Sequence, residues 1–214
     1  MERLRPGPLI RFHDAQLRSE SPLLAMPAAG ELMDAIAANH HYNQLLWRTE
    51  DQARRTDVPD RQIVQCKRAI DRYNQQRNDA VERIDDALLR QLAGMTRQHG
   101  ARQHSETAGA MIDRLSILSL KIFHMGLQAA RSDASHEHLS DCRAKWQRLQ
   151  DQRADLAVCL GRLMRDSERG HVYFKPYHQF KMYNDPRLNP WLTAGASSVP
   201  ADAAADPSTV GPLR

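Results

Sequence analysis

Apolar residues recur every three or four positions over most of the chain, and this spacing predicts amphipathic helices rather than strands. The pattern defines four helices, at residues 31–55, 58–93, 105–131 and 135–169. Helix-breaking residues stand at their ends: Pro59 lies in the first turn of the second helix, and Gly94 and Gly170 follow the second and fourth. No sustained alternation of the kind that marks a β-strand occurs between them.

The third helix is apolar on most sides between Ile112 and Leu127. A helix of this kind buries its whole surface, so we expect it at the centre of the molecule. Because the connections between the helices are short, the predicted fold class is all-α, an antiparallel four-helix bundle with long helices.

Both ends of the chain differ from its helical middle. Four prolines within residues 1–27 predict an N-terminal arm without continuous helix, because proline disrupts a helix interior. Residues 171–192 are rich in aromatic side chains, which predicts an ordered but mostly irregular wrap that packs back on the helices. Residues 193–214 are rich in Ala, Ser and Pro and are predicted to be disordered. Residues 28–192 are therefore expected to form a single helical domain.

The composition argues against several classes of protein. Of the 214 residues 41% are hydrophobic, and no apolar run approaches the roughly 18 residues that a membrane-spanning helix needs. The 30 basic residues are interleaved with 26 acidic ones along the same helices, unlike the concentrated basic face of a nucleic-acid-binding protein. The three cysteines are far apart and indicate neither a disulfide framework nor a zinc site. With no secretory signal visible, we expect a soluble cytoplasmic protein that binds no nucleic acid.

A line of polar side chains runs along the second predicted helix. On a helical wheel at about 100° per residue they fall within an arc of roughly 80°. The line consists of Lys67, Asp71, Asn74, Asn78, Glu82 and Asp85. The same arc contains Val64 at one end and Leu92 at the other, while the opposite side carries a typical solvent-facing set of charges. We therefore expect the line to point into the bundle.

Two other helices carry polar residues on their apolar sides. On the first helix Asn43, Glu50 and Arg54 share a side with apolar residues, and on the fourth Arg153 interrupts an apolar stripe. Burying an unpaired charge is costly, so Arg54, Lys67 and Arg153 are expected to pair with Glu50 and with the carboxylates of the line.

Two interpretations of this polar line remain open. It is either a structural network of ion pairs that sets helix register, or a ligand site in which carboxylates with shifted pKa values serve acid–base chemistry. Charge balance distinguishes the two, because a structural network is internally paired whereas a site leaves donors facing a cavity. His40 and His41 indicate no metal, since adjacent helical residues diverge by about 100°. No cofactor-binding motif occurs, so neither a metal nor a cofactor is expected.

Four segments of the chain resemble one known family. They are NQLLWRTEDQARR at 43–55, KRAIDRYNQQRNDAVERID at 67–85, IDRLSILSLKIFHM at 112–125 and KMYNDPRLNP at 181–190. In this order, over about residues 30–192, they are similar to the bacterial family called domain of unknown function 4254. The matching positions include most of the polar residues named above and also Trp47, Asp51, Arg77, Asp113 and Lys121.

The resemblance implies a cellular role but no reaction. The family has no established activity, and its members are often encoded beside genes for glycosyltransferases and cell-envelope polysaccharides. The resemblance therefore implies a cytoplasmic role in bacterial glycan assembly.

Our first hypothesis is a ligand-binding or active site between the first two helices, closed by the C-terminal segment. The acid–base candidates are Glu50, Asp71, Glu82 and Asp85. The residues expected to bind the ligand are Asn43, Arg54, Lys67, Asn74, Asn78, Arg153, Lys181, Tyr183, Asn184 and Asp185. Arginine and lysine recognise phosphate, so the expected ligand is an anionic sugar-related molecule such as a sugar nucleotide.

The second hypothesis belongs to a different class. The protein is a non-catalytic partner or scaffold of a glycosyltransferase, with the polar line as a structural network and the aromatic C-terminal segment as the docking surface. The sequence leaves the reaction type, the identity of the ligand and the oligomeric state open.

Overall fold

A computed structural model describes residues 4–19, 30–178 and 187–189. They form the helices α1 Pro6–Arg18, α2 Glu31–Ala53, α3 Asp60–Leu92, α4 Ala108–Ala129 and α5 His136–Glu168, and the strands β1 Arg102–His104 and β2 Val172–Phe174. The fold is therefore all-α, as predicted. The chain divides into two units, residues 1–176 and 177–214, and the described part of the second unit is limited to residues 177, 178 and 187–189.

The N-terminal segment departs from its prediction. Pro6–Arg18 form helix α1, whereas the prolines of this region predicted an arm without continuous helix. Pro6 and Pro8 lie in the first turn of α1, where the backbone N–H groups have no helical partner to lose, so proline starts this helix instead of breaking it. Leu9 and His13 are buried, and α1 packs against α4 and α5. The described residues thus form five helices instead of four.

The central position predicted for the third long helix is confirmed. Helix α4 packs against α1, α2, α3 and α5. The two most extensive contacts between helices join α2 to α3 and α4 to α5. The Thr107 hydroxyl starts α4 by accepting a hydrogen bond from the Ala110 N–H at 3.2 Å. Ser116 and Ser119 lie on the buried side of this helix, which places polar groups inside the protein.

A two-stranded parallel sheet ties the loop after α3 to the segment after α5. Strand β1 pairs with β2, with Arg102 opposite Val172. Gly170 permits the turn into β2, because its φ of 73° is in the left-handed region that favours glycine. A Cβ at this position would also overlap the Thr96 carbonyl oxygen. Val172 and Phe174 are buried, so the first part of the predicted wrap packs on the helices as a short strand.

One hydrophobic core is shared by all five helices and β2. Its fully buried side chains include Ile36, Ile84, Leu88, Met111, Ile112, Leu115, Leu160 and Phe174. None of the helices in the described ranges is long and apolar enough to cross a membrane. The predictions for the tail at 193–214 and for most of the wrap beyond residue 178 concern residues outside those that the structure describes.

Candidate binding site around Trp47

A polar network lies inside the protein between α2 and α4. Asn39 and Asn43 each donate a side-chain hydrogen bond to Asp113 Oδ1, at 2.8 and 2.9 Å. Asn43 also donates to the Ser116 hydroxyl at 3.0 Å, and His40 Nδ1 lies 2.8 Å from the same oxygen. We call these five residues the interior network. Most of its polar groups pair with one another, but Asn39 Oδ1 and His40 Nε2 are buried without a partner among the described residues.

The imidazole ring of His13 on α1 stacks on that of His40 on α2. The ring centroids are 4.6 Å apart, the interplanar angle is 21° and both side chains are fully buried. Burial lowers the pKa of His40 to about 4. Burial and the neighbouring His40 lower the pKa of His13 well below its ordinary value. Both rings are therefore neutral near pH 7 and pack as flat groups that hold α1 against α2.

Arg153 on α5 joins α1 to α4. Its Nη1 donates to Asp14 Oδ1 at 2.6 Å and to the Ser119 hydroxyl at 3.1 Å. The side chains of Arg153 and Asp14 keep only 15% and 27% of their exposure, so this ion pair is largely shielded from solvent. Arg153 does face inward, but its partner belongs to α1 and not to the polar line of α3. Its Nη1 group therefore serves to join helices.

Asp85 is buried where α3 meets the start of α4. Its Oδ1 accepts a hydrogen bond from the backbone N–H of Gly109 at 2.7 Å. Burial raises the pKa of the Asp85 carboxyl, and hydrogen bonds with Thr107 and Gly109 oppose that rise. The first N–H groups of a helix lack helical partners and favour a carboxylate. The contact with α4 therefore accounts for the burial of Asp85 in structural terms.

The polar line of α3 does not face inward along its whole length. Lys67 and Asp71 are exposed, contrary to the prediction. The buried positions in this part of α3 are Cys66 and Ile70, each of which directly precedes a residue of the line. Because successive helical residues are rotated by about 100°, Lys67 and Asp71 lie beside the packed face rather than on it. The predicted pairing of these two residues inside the bundle is wrong.

Two further residues of the line, Asn78 and Glu82, are half-buried. The side-chain oxygen of Asn78 accepts a hydrogen bond from Arg77 Nη2 at 3.1 Å, and the charge of Glu82 acts on the nearby Asp85. Four predicted ligand residues lie outside the described part of the chain: Lys181, Tyr183, Asn184 and Asp185.

The structure brings four of the predicted site residues together in one pocket between α2, α3 and α4. They are Asn43, Glu50, Arg54 and Asn74. We call this space the α2–α3 pocket; it has a volume of about 410 Å³. Its other described lining residues are Leu46, Trp47, Asp51, Arg77, Ile117 and Leu120.

Polar groups in the α2–α3 pocket are only partly paired. Glu50 forms the predicted ion pair with Arg54 at 3.0 Å, but the side chains are 39% and 68% exposed, so the pair is not buried as predicted. In contrast, the Asn74 amide has no hydrogen bond within the described residues. Arg77 also lines the pocket, but its Nε is buried out of reach of solvent and its Nη2 donates to Asn78. The pocket therefore presents the Asn74 amide to a bound ligand.

A second pocket, of about 590 Å³, shares Trp47 and Asp51 with the first. We call it the α4–α5 pocket, because most of its lining comes from those two helices. Its other described lining residues are Lys121, His124, Met125, Leu127, Gln128, Lys145, Arg148, Leu149 and Gln152. Both pockets therefore have Trp47 and Asp51 as common walls.

The indole ring of Trp47 is held by His124 on α4. The two rings are stacked, with centroids 4.5 Å apart and an interplanar angle of 6°. Burial lowers the pKa of His124, although the charge of Asp51 opposes this effect. The neutral imidazole supports the indole as a flat surface. Trp47 is thus fixed as an aromatic wall of both pockets.

Sequence reasoning found the polar residues of α2 and α3 but did not assign the cations of the second pocket. Lys121, Lys145 and Arg148 are exposed residues of ordinary amphipathic helices, and their convergence depends on how α4 and α5 pack. The interior network did leave a signal in the sequence. Ser116 and Ser119 stand three residues apart within the most apolar helix, where a hydroxyl needs a buried partner.

Comparisons with known proteins give one match. The model of a family described as Protein of unknown function (DUF4254) matches residues 33–176. This range includes both pockets as well as most of α2 and all of α3, α4 and α5. The predicted membership of this family is confirmed, while the fourth of the sequence segments, at 181–190, lies outside the matched range. No curated protein and no solved structure matches the chain.

Proposed function

Because the chain belongs to the DUF4254 family, whose function is unknown, we propose a function from the geometry of its pockets. The protein binds an anionic, sugar-related ligand in the α2–α3 pocket and serves bacterial cell-envelope glycan assembly in the cytoplasm. In this proposal α2–α5 form an antiparallel four-helix bundle to which α1 is added.

The polar groups that line the α2–α3 pocket carry this proposal. The residues of the interior network bond mainly to one another, and their two unpaired atoms, Asn39 Oδ1 and His40 Nε2, are buried out of reach of a ligand. Asn74 instead presents its amide to a pocket that Arg77 also lines. The polar residues of α2 and α3 therefore divide into a part inside the protein and a part that lines a pocket and is suited to a ligand.

Each residue of the pocket has chemistry that suits a sugar phosphate. The Asn74 amide can bond to sugar hydroxyl groups, and the Arg77 guanidinium offers its N–H groups to phosphate oxygens. Trp47 supplies apolar surface for one face of a sugar ring. Glu50 and Asp51 are the carboxylates of the pocket and therefore the candidates for proton transfer.

Isothermal titration calorimetry with hexose 1-phosphates and nucleoside diphosphate sugars tests the proposal. We expect binding by the wild-type protein and a Kd raised about fivefold by Asn74→Ala, because one hydrogen bond contributes about 1 kcal/mol. Arg77→Lys keeps the charge but removes the planar fork, so it should raise the Kd of both classes of ligand, because both carry phosphate.

The matched control is Gln76→Ala, which removes an exposed amide from the same helix outside the pocket. This control should leave the Kd unchanged. The proposal is refuted if neither class of ligand binds, or if Asn74→Ala and Gln76→Ala bind the ligand equally well. Circular dichroism of each variant verifies that the fold is retained.

A second candidate function is that of a non-catalytic partner of a glycosyltransferase. The hydrogen bonds within the interior network favour it, because these buried polar residues bind mainly one another and not a ligand. If this function is correct, calorimetry detects no binding of sugar phosphates, and the protein co-purifies with a glycosyltransferase of the same organism. The two measurements together distinguish the two functions.

A further inference from the structure

We propose that the α4–α5 pocket binds an organic phosphate that carries a flat or apolar group. The proposal concerns a different pocket from the one assigned above, although Trp47 and Asp51 line both. It rests on charge, on the apolar part of the lining and on the size of the pocket.

Three cations converge on this pocket, Lys121 from α4 and Lys145 and Arg148 from α5. None of them forms an ion pair or a hydrogen bond within the part of the chain that the structure describes. Asp51 is the one carboxylate among the described lining residues. The described lining therefore has a formal excess of two positive charges, with His124 neutral.

The absence of partners for these cations contrasts with other parts of the protein. Arg153, further along α5, pairs with Asp14 at 2.6 Å, and Arg114 on α4 pairs with Glu106 at 2.7 Å. Lysine and arginine that converge without carboxylate partners favour an anion, and phosphate accepts hydrogen bonds from several donors at once.

The apolar part of the lining shows that the ligand is more than an inorganic anion. Trp47, Met125, Leu127 and Leu149 line the same pocket, and Leu127 is 53% exposed. A flat or apolar group on the ligand would cover this surface and gain the free energy of removing it from water. The volume of about 590 Å³ is in the usual range for small-molecule sites.

Two kinds of molecule have this chemistry, nucleoside phosphates and isoprenoid phosphates. In both, the phosphate is placed near Lys145 and Arg148, and the base or the hydrocarbon packs against Trp47. Gln128 and Gln152 offer amides that can bond to a base. The experiment includes one ligand of each kind.

The test is calorimetry at fixed ionic strength with uridine 5′-diphosphate, farnesyl diphosphate and inorganic diphosphate. We expect at least one organic ligand to bind about tenfold more tightly than inorganic diphosphate, because only the organic ligands cover the apolar lining. Lys145→Ala and Arg148→Ala should each raise the Kd of this ligand about fivefold. Both side chains are exposed, so these substitutions do not endanger the fold.

Arg143→Ala is the matched control, because it removes one positive charge from an exposed position of the same helix outside the pocket. It should leave the Kd nearly unchanged. The proposal is overturned if no organic ligand binds, or if inorganic diphosphate binds as tightly as both organic ligands. It is also overturned if Arg143→Ala weakens binding as much as Arg148→Ala does.

Asn74→Ala separates this inference from the proposed function. It alters the α2–α3 pocket alone and should not change the affinity for the organic phosphate. If sugar phosphates bind in a manner that depends on Asn74 while no organic phosphate depends on Lys145, the present inference fails and the proposed function stands.

Discussion

The buried histidine pair makes the stability of this protein sensitive to mild acid. In the folded protein burial lowers the pKa of His40 from its ordinary value of 6.5 to about 4. The unfolded chain therefore takes up a proton in a pH range where the folded protein resists it. The stability that His40 contributes is present above pH 6.5 and is lost as the pH falls towards 4.

The size of the effect follows from the two pKa values. Between pH 7 and pH 5 the unfolded chain becomes almost fully protonated at this residue, while the folded protein stays mostly neutral. The free energy of unfolding should fall by about 2 kcal/mol from His40 alone. His13 acts in the same direction, because its pKa is lowered as well.

His40→Asn removes the contribution of His40, together with its effect on the pKa of His13. The amide of asparagine can occupy the place of Nδ1 and keep the hydrogen bond to Ser116, while the ring that protonates is removed. The smaller side chain lowers the free energy of unfolding by the same amount at both pH values, so this loss cancels when the two are compared. Urea denaturation at pH 7 and pH 5 should show a fall in stability that is about 2 kcal/mol smaller in the variant than in the wild type.

The control is His99→Asn, which replaces an exposed histidine in the loop after α3. Its loss of stability between the two pH values should equal that of the wild type. If His40→Asn also loses as much stability as the wild type, then His40 is not held neutral by burial and the reasoning is wrong.

Two further predictions concern packing. Gly109→Ala should lower the free energy of unfolding by about 2 kcal/mol, because the new Cβ would lie 2.7 Å from the Val81 carbonyl oxygen. Gly94→Ala, whose Cβ meets nothing within 4 Å, is its control in urea denaturation and should not destabilise the protein. Phe174→Ala should lower the free energy of unfolding by about 3–5 kcal/mol, because the ring is only 2% exposed. Tyr177→Ala, at a side chain that is 75% exposed, should change it little, and equal losses in thermal melts would contradict the inward packing of β2.

Four of the ten described residues that line the α2–α3 pocket had been proposed as site residues from the sequence. Asn43 and Asn74 lie at the expected place because each belongs to a polar set that one helical wheel can identify. Lys67 and Asp71 do not, because the wheel identified the arc beside the packed face of α3 and not that face itself. An error of one residue rotates a side chain by about 100°, which is enough to move it from a pocket to solvent.

The N-terminal segment shows a different source of error. Pro6 and Pro8 are compatible with a helix that begins at them, but the prolines alone do not decide whether that helix forms. Here Leu9 and His13 supply the buried contacts that stabilise α1, and both act through other helices. A short segment of 13 residues gains little from local helix propensity alone, so tertiary packing decides its state.

By itself, the sequence determined the all-α class, the central burial of α4 and the polar side of α2. These properties depend on side-chain periodicity within a single helix, which can be read without knowing its neighbours. Only the tertiary structure decided that Arg153 pairs with Asp14 and that Lys121, Lys145 and Arg148 meet around a pocket. Such contacts depend on the rotation and placement of helices that are distant in sequence, and many arrangements of those helices would satisfy the same hydrophobic pattern.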